Sequence, residues 1–419
     1  YDEALADYDK AISLKPDYAD ALKHRGDVQR SLERYEHALE DFKEVLLLTP
    51  GDYETLNKRG LTHKDLGQYK EAFLDFNKAI SLNPSYALPY TNRGLSFEQL
   101  GQFDEALADY DKAISLKPDY AEPYFNKSLQ KLLLGDFASG WDLYEWRWKT
   151  EQHIGKKLDS PKPMWNGERD VRVFLWAEQG IGDEIMFASM IPELEERCSS
   201  LTVKCDERLI PLFERSFSQK INFQFEQDKV TEDSYDFHIP IASLPSIFRR
   251  SLDSFKQVSD AYLHCDVKRA EELRKTISKG KAEILIGISW NSSATQPGAH
   301  HRNITLSDLA THLHAPGVRL VNLQYGDVSD EIKKLKDDHG IEVVEVPDVD
   351  NRNDIDGLAA LIMACDEIVS IDNATIHLSG ALGAKTKILL PFNRSWQWGT
   401  SGSSSCWYNS VELYRQQSA

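Results

Sequence analysis

DEALADYDKAISLKPDYA occupies Asp2–Ala19 and recurs, letter for letter, at Asp104–Ala121. The offset of 102 residues is three times 34. Diverged copies fill the space between. Tyr1, Tyr35, Tyr69, Phe103 and Phe137 stand 34 residues apart, as do Ala4, Ala38, Ala72 and Ala106. The same spacing relates Tyr8, Phe42, Phe76 and Tyr110, and also Ala11, Val45, Ala79 and Ala113. Steps of four and three put the last three sets on one helical face. Small residues there let two helices approach, and the aromatic ring fills the gap. Pro16, Pro50, Pro84 and Pro118 end these helices, because proline disfavours helix at the residue before it. Gly26, Gly60 and Gly94 fall in the intervening helices, where a neighbour must pass close.

A 34-residue helix–turn–helix period is the mark of the tetratricopeptide repeat, a unit that stacks into a solenoid. It predicts an α-solenoid over residues 1–152, with a lone leading helix and four helical hairpins. The array opens in mid-unit at Tyr1, without an initiator methionine, and reads as part of a longer array. The last unit decays: Arg147 and Gln152 replace the small residue and the proline. Terminal repeats are atypical because they contact something other than a repeat. The run Gly140–Trp148 holds three tryptophans, whereas residues 1–140 hold none. It is expected to cap the array against the following domain; a ligand-stacking platform is the sharper alternative.

Composition narrows the function classes. The net charge of −18 and pI near 5.2 argue against nucleic acid or an anionic membrane as main partner. No apolar run approaches the roughly 18 residues of a membrane span. Cys198, Cys205, Cys265, Cys365 and Cys406 are scattered, with no CxxC pair. They read as reduced core thiols of a cytoplasmic protein, not as a disulfide frame or zinc site.

From Asp170 the pattern changes to short apolar runs alternating with helical stretches. VRVFLW (Val171–Trp176) leads to Gly180 and Gly182 and then a helix through Arg197. LTVKC, INFQF and FHIPI follow. A second series holds EILIGISW (Glu283–Trp290), RLVNLQY (Arg319–Tyr325), IEVVEV (Ile341–Val346), EIVSI (Glu367–Ile371) and TKILLP (Thr386–Pro391). Alternation of this kind predicts α/β architecture with parallel sheets. Two series separated by a charged helix predict two Rossmann-like doubly wound halves, residues 153–280 and 281–419. A ligand is expected in the cleft between them, at the carboxyl ends of the strands.

Three local features carry chemistry. EQGIGDE (Glu178–Glu184) resembles a dinucleotide loop, but Ile185 stands where its third glycine belongs. Asp183 and Glu184 at the helix start would repel phosphate, so the loop suits an ionised base; Asp183 as a simple N-cap is the plainer alternative. SIDNATIHLSGALG (Ser370–Gly383) is the opposite case. Its helix starts near Asn373–Ala374 with no acid in the first turn, and its free N–H groups suit a diphosphate. Asp372 there suits a helix cap or a sugar hydroxyl, and His377 lies about one turn in, where a packed core histidine is the plainer reading. In the loop after Trp290, Arg302 suits a phosphate clamp, with a solvated arginine as the alternative. His300 and His301 are adjacent and lack a suitably spaced third ligand, so no metal site is expected.

These stretches, from MWNG (Met164–Gly167) through FLWAEQGIGDEIMFASMIPEL, ISWNSS, HRNITL, NLQYGD (Asn322–Asp327) and SIDNATIHLSGALG to LLPFNRSWQWG and CWYNSVELYRQ, resemble a known family. They are similar to the glycosyltransferase domain of bacterial tetratricopeptide proteins, itself similar to the ADP-heptose:lipopolysaccharide heptosyltransferase family. The resemblance spans roughly residues 160–416. It implies a GT-B fold, inverting chemistry, no obligatory metal and no cofactor beyond a nucleotide-sugar donor. It implies Asp183 as the base, in an acceptor-side loop with Gln179, Gly180, Gly182 and Glu184. It implies a donor side at Asp372, Asn373, Ala374, Thr375 and His377, joined by Trp290, Gln324 and Arg302. This chain has Asn373 and Ala374 where the heptosyltransferases carry threonine and glycine, and Arg302 in place of a lysine clamp.

The resulting expectation is an inverting transfer of a hexosyl or heptosyl group to a hydroxyl. A protein acceptor recruited by the repeats is expected, because concave solenoids bind extended segments. A glycan or lipid-linked acceptor, and a non-catalytic scaffold, stay open as alternatives.

Overall fold

The computed structural model describes residues 1–151, 157–225, 230–257, 259–279, 283–292, 302–392 and 395–417. By its internal contacts the chain divides into two compact units. One is Tyr1–Gln130 with Trp146–Glu151, and the other is Lys131–Glu145 with Gln152–Ala419.

The repeat region holds α1 (Asp2–Leu14), α2 (Ala19–Ser31), α3 (Tyr35–Leu48), α4 (Tyr53–Asp65), α5 (Tyr69–Leu82), α6 (Ala87–Gln99), α7 (Phe103–Leu116), α8 (Ala121–Leu133) and α9 (Phe137–Tyr144). Ala38, Ala72, Ala106, Phe42, Phe76 and Tyr110 are all fully buried, as the one-face spacing requires. The glycines answer to the same rings. A Cβ on Gly26, Gly60 or Gly94 would lie 2.7, 2.8 or 2.7 Å from the ring of Phe42, Phe76 or Tyr110. A set of ion pairs repeats at the same period. Arg25, Arg59 and Arg93 each fork onto a carboxylate sixteen residues on, at Asp41, Asp75 and Asp109. These carboxylates are buried, and pairing plus hydrogen bonding keeps them satisfied.

The tryptophans of Gly140–Trp148 do not act together. Trp146 stacks on Tyr124 in the first unit, centroids 3.8 Å apart. Trp141 is buried in the second unit, where its Nε1 donates to the Arg249 carbonyl at 2.8 Å. Phe137 packs on Phe255 at 4.9 Å. These apolar anchors explain why α9 groups with the α/β part, although its spacing follows the repeats. Phe137 and Trp141 therefore pack within the second unit, and Trp146 belongs to the first.

The second unit carries two sheets whose paired strands are all parallel. The first has β1 (Val171–Trp176), β2 (Cys198–Cys205), β3 (Asn222–Phe225) and β4 (Phe237–Pro240), in the order β3-β2-β1-β4. Its helices are α10 (Ile181–Ala188), α11 (Ile191–Glu195), α12 (Ile210–Ser216) and α13 (Pro245–Phe248). The helix expected through Arg197 breaks after α10, because Pro192 starts a new helix at its first turn. Helix α14 (Val267–Ser278) leads to the second sheet. That sheet has β5 (Ile284–Ser289), β6 (Val318–Asn322), β7 (Val343–Val344), β8 (Glu367–Ile371), β9 (Thr386–Leu390) and β10 (Val411–Arg415). Their order is β10-β9-β8-β5-β6-β7. Helices α15 (Leu306–Leu313), α16 (Ser329–His339), α17 (Ile355–Ala364) and α18 (Ala374–Ala381) connect them.

In that order the strand sequence reverses between β5 and β8. A doubly wound sheet opens a crevice at such a switch point, outside the carboxyl ends of the strands. Trp290–Ser292, just after β5, and the start of α18 after β8 both border it. Two strands depart from expectation. IEVVEV contributes only Val343–Val344, and Val411–Arg415 was not among the apolar runs. The latter is an edge strand that buries Val411 and Leu413 but exposes Glu412 and Tyr414, so it forms no continuous run. The five thiols are free, and burial pushes the pKa of each one up, so none is a reactive thiolate.

Candidate functional site

The starts of α10 and α18 lie against each other. A Cβ on Gly182 would come within 3.0 Å of the His377 ring and 3.6 Å of Ala374 Cα. Glycine at this position therefore sets the approach of the two helices. The contact brings Asp183 within electrostatic reach of Asp372 and Arg302.

Asp183 is the third residue of α10, whose N-cap is Gly180. Asp183 is thus not the cap. Its carboxylate reaches back to the Gly180 N–H, as an acid at this position does in a capping box. Burial pushes its pKa up to about 6, the charge of Asp372 adds to this, and the Gly180 N–H and Arg302 oppose it. Asp183 is therefore mainly ionised at neutral pH, but it is far more basic than an exposed aspartate. The helix start alone would have held it low; the facing carboxylate and loss of water outweigh that effect.

Glu184 points elsewhere. It is buried, and its Oε2 accepts from the Asp206 N–H at 3.0 Å, at the end of β2. It is not part of an acceptor-side surface, and its direction follows from the roughly 100° step between helical neighbours. Burial pushes its pKa from 4.5 up to about 8. Below about pH 4.5 it is protonated whether the chain is folded or not. Between there and about 8 the unfolded chain releases a proton that the fold retains, so Glu184 destabilises the fold increasingly as pH rises. Glu184→Gln should raise the melting temperature at pH 8 and leave it nearly unchanged at pH 4.5. Melting curves at the two pH values test this.

Asp372 is not a helix cap either. Asn373 is the N-cap of α18, and its Oδ1 accepts from the Thr375 N–H at 3.0 Å. Its Nδ2 donates to Ser289 Oγ at 2.8 Å, which ties the start of α18 to the end of β5. Asn373 is thus spent on the scaffold and leaves little to offer a ligand. Asp372 is clasped instead. Trp398 Nε1 donates to Oδ1 at 2.9 Å, Ser395 Oγ to Oδ2 at 2.5 Å, and Arg302 Nη1 approaches Oδ2 at 3.4 Å. Ala374 heads the helix, where its N–H has no intrahelical acceptor. Thr375 Oγ1 is buried with no hydrogen-bond partner among the described residues.

His377 is buried and pairs through Nδ1 with Tyr408 Oη at 2.9 Å. Its ring stacks on Trp398 at 5.6 Å. Burial pushes its pKa down to about 4, with Asp372 opposing and Arg302 adding to the fall. It is therefore a neutral imidazole at pH 7. Tyr262 continues the chain of contacts by donating to the Ile185 carbonyl of α10 at 2.9 Å.

Two residues expected on the donor side belong to the scaffold. Trp290 is buried and donates from Nε1 to Glu331 at 2.8 Å. The Gln324 side chain accepts from the Trp290 and Asn291 N–H groups at 2.9 and 2.8 Å, and donates to the Asn291 carbonyl at 3.1 Å. It joins the ends of β5 and β6 and has no group left for a ligand. Beside it opens a cavity of about 520 Å³, lined by Asn322, Gly326, Val346 and Asn351 among others. Asn351 Oδ1 is buried there without a partner among the described residues. In the loop before α10 Gly180 is exposed, and Gln179 Nε2 donates to Tyr144 Oη at 3.0 Å. His300 and His301 lie outside the described residues. Among the described residues no cluster of histidine, cysteine and acidic groups could hold a metal ion.

Ser395, Trp398, Tyr408 and Tyr262 are absent from the residues expected from sequence. They come from irregular segments whose spacing says nothing about where they fold. The one signal was the density of tryptophan at 396, 398 and 407.

Models of the tetratricopeptide repeat match residues 1–53, 62–101 and 87–120. Protein FlbA of Caulobacter vibrioides is 29% identical over 295 residues, covering 66% of this chain and 49% of its own length. The chain thus spans about half the length of that curated relative. Among solved structures, MamA is 25% identical over 34% of this chain and 75% of its own, with a TM-score of 0.29. The type IV pilus biogenesis factor PilW is 22% identical over 36% of this chain and 72% of its own, with a TM-score of 0.34. Among the described residues no helix is long and apolar enough to cross a membrane. The N-terminal part of the chain is a tetratricopeptide repeat array, which supports a protein-interaction role, and it is followed by α/β architecture.

Proposed function

We propose that the α/β unit is a GT-B-type, inverting glycosyltransferase. In this reading it moves a sugar from a nucleoside-diphosphate donor to a hydroxyl, on a protein held by the repeats. The observation that carries the reading is the pairing of two unlike helix starts across Gly182. One presents Asp183, whose raised basicity suits removal of a hydroxyl proton. The other has no acid in its first turn, and offers the Ala374 N–H, the unpartnered Thr375 hydroxyl and Arg302. Those groups suit the negative charge that builds on a departing diphosphate.

The strand order supports the same placement, because the switch point between β5 and β8 falls at the start of α18. The cavity beside Gln324 is of a size to take the nucleoside. Inversion follows from one base acting opposite the leaving group: the acceptor oxygen loses its proton to Asp183, attacks the anomeric carbon, and the bond to the diphosphate oxygen breaks. His377, neutral and stacked on Trp398, keeps the shape of the site without adding charge. A thermal-shift panel of UDP, GDP, ADP and CMP tests the reading. One diphosphate should raise the melting temperature by several degrees, and Arg302→Ala should shrink the shift at the same ligand concentration. No response to any nucleotide would favour the non-catalytic scaffold.

A further inference from the structure

The site rests on two segments with little regular structure of their own. Gln179–Gly180 leads into Asp183. The turn Ser395–Gly402 supplies both donors that clasp Asp372, and its only regular part is a short 3₁₀ turn at Trp396–Trp398. Arg415 pins that turn from one side, donating to the carbonyls of Trp398, Gly399 and Gly402 at 2.6, 3.1 and 2.8 Å. On the other side stands α9, the helix that follows the last repeat hairpin's first helix.

We infer that α9 is a positioning element for this site, with Tyr144 holding the segment before Asp183 and Trp141 holding the turn that clasps Asp372. The inference rests on the proposed transfer site for its purpose, but its geometry stands alone. Tyr144 Oη accepts from Gln179 Nε2 at 3.0 Å. Gln179 adjoins Gly180, whose N–H meets the Asp183 carboxylate. Trp141 meets Trp396 edge to face, centroids 5.3 Å apart at 90°, and Trp396 lies between Ser395 and Trp398. Trp141 and Tyr144 are three residues apart, so one face of one helix reaches both segments.

A helix that served only as a cap would not need these contacts. Phe137 against Phe255 and the Trp141–Arg249 hydrogen bond already anchor α9. The phenol hydroxyl of Tyr144 adds nothing to burial, since phenylalanine would fill the same space. What it adds is a directed bond to the loop that carries the proposed base. Errors of about 1 Å in such groups cost on the order of 100-fold in rate, so a buttress common to both carboxylates has a catalytic use.

Hydrogen exchange of the full chain separates positioning from capping. Tyr144→Phe should speed exchange in residues 177–183 by roughly fivefold, the scale of one lost hydrogen bond, and leave 395–402 unchanged. Trp141→Phe should do the reverse. A cap-only helix would give faster exchange along 137–144 and 245–255 with neither segment singled out, which would overturn the inference. Should Trp141→Phe fail to fold, the milder Tyr144→Phe still decides it. Turnover by Asp183→Asn is read separately. If the full chain transfers no sugar, the transfer reading fails while the exchange result still decides the role of α9.

Discussion

Asp183→Asn should lower the rate of sugar transfer by roughly 100-fold or more, with the affinity for the nucleoside diphosphate retained. Asparagine keeps the shape of the side chain and its bond from the Gly180 N–H, but cannot take a proton. The pH profile gives a second reading. Asp183 works as a base only when ionised, and its pKa is pushed up to about 6. The wild-type rate should therefore rise with pH through about 6 and level off above 7, and the residual rate of the variant should lack that step. Glu184→Gln is the matched control, because Glu184 faces the Asp206 N–H and not the cleft. Its transfer rate should stay near wild type. Full activity in Asp183→Asn, or loss in Glu184→Gln, would assign the base elsewhere.

Arg302→Ala should weaken binding of the nucleoside diphosphate roughly 10- to 100-fold, the range for a lost hydrogen bond to a charged group. The melting temperature should move little, because Arg302 is partly exposed and its ion pair with Asp372 at 3.4 Å is long. Asp372 keeps its bonds from Ser395 and Trp398 in the variant. Binding should also fall with rising salt in the wild type and less steeply in the variant, since screening acts on the arginine. Isothermal titration at two ionic strengths reads both effects. Unchanged affinity would remove Arg302 from the site.

The repeat array was legible because its determinants are local and periodic. A glycine and an aromatic ring sixteen residues apart explain each other, as Gly60 and Phe76 do, and the pair recurs every 34 residues. The ion pairs Arg25–Asp41, Arg59–Asp75 and Arg93–Asp109 obey the same period. These pairs are not legible in the sequence, because charged residues in a helix are normally solvated. In the α/β part the buried strands were legible as continuous apolar runs, and edge strand β10 was not. Within the candidate site, Asp183 and the acid-free start of α18 could be read from charge at helix starts. The roles of Asn373 and Gln324 could not, because an amide that bonds a backbone looks in sequence like one that bonds a ligand. The clasp on Asp372 was hidden for another reason. Its donors lie more than twenty residues downstream in a turn without periodicity, and only folding brings them beside β8.

The central claim is that an acceptor base and a diphosphate site face each other across Gly182. A crystal structure of the full chain with the nucleoside diphosphate selected by the thermal-shift panel tests it most directly. The account predicts phosphate oxygens within hydrogen-bond distance of the Ala374 N–H, Thr375 Oγ1 and the Arg302 guanidinium, with the nucleoside in the cavity beside Gln324 and Asp183 facing the open side. Phosphates bound instead against Gly180–Asp183 would contradict it.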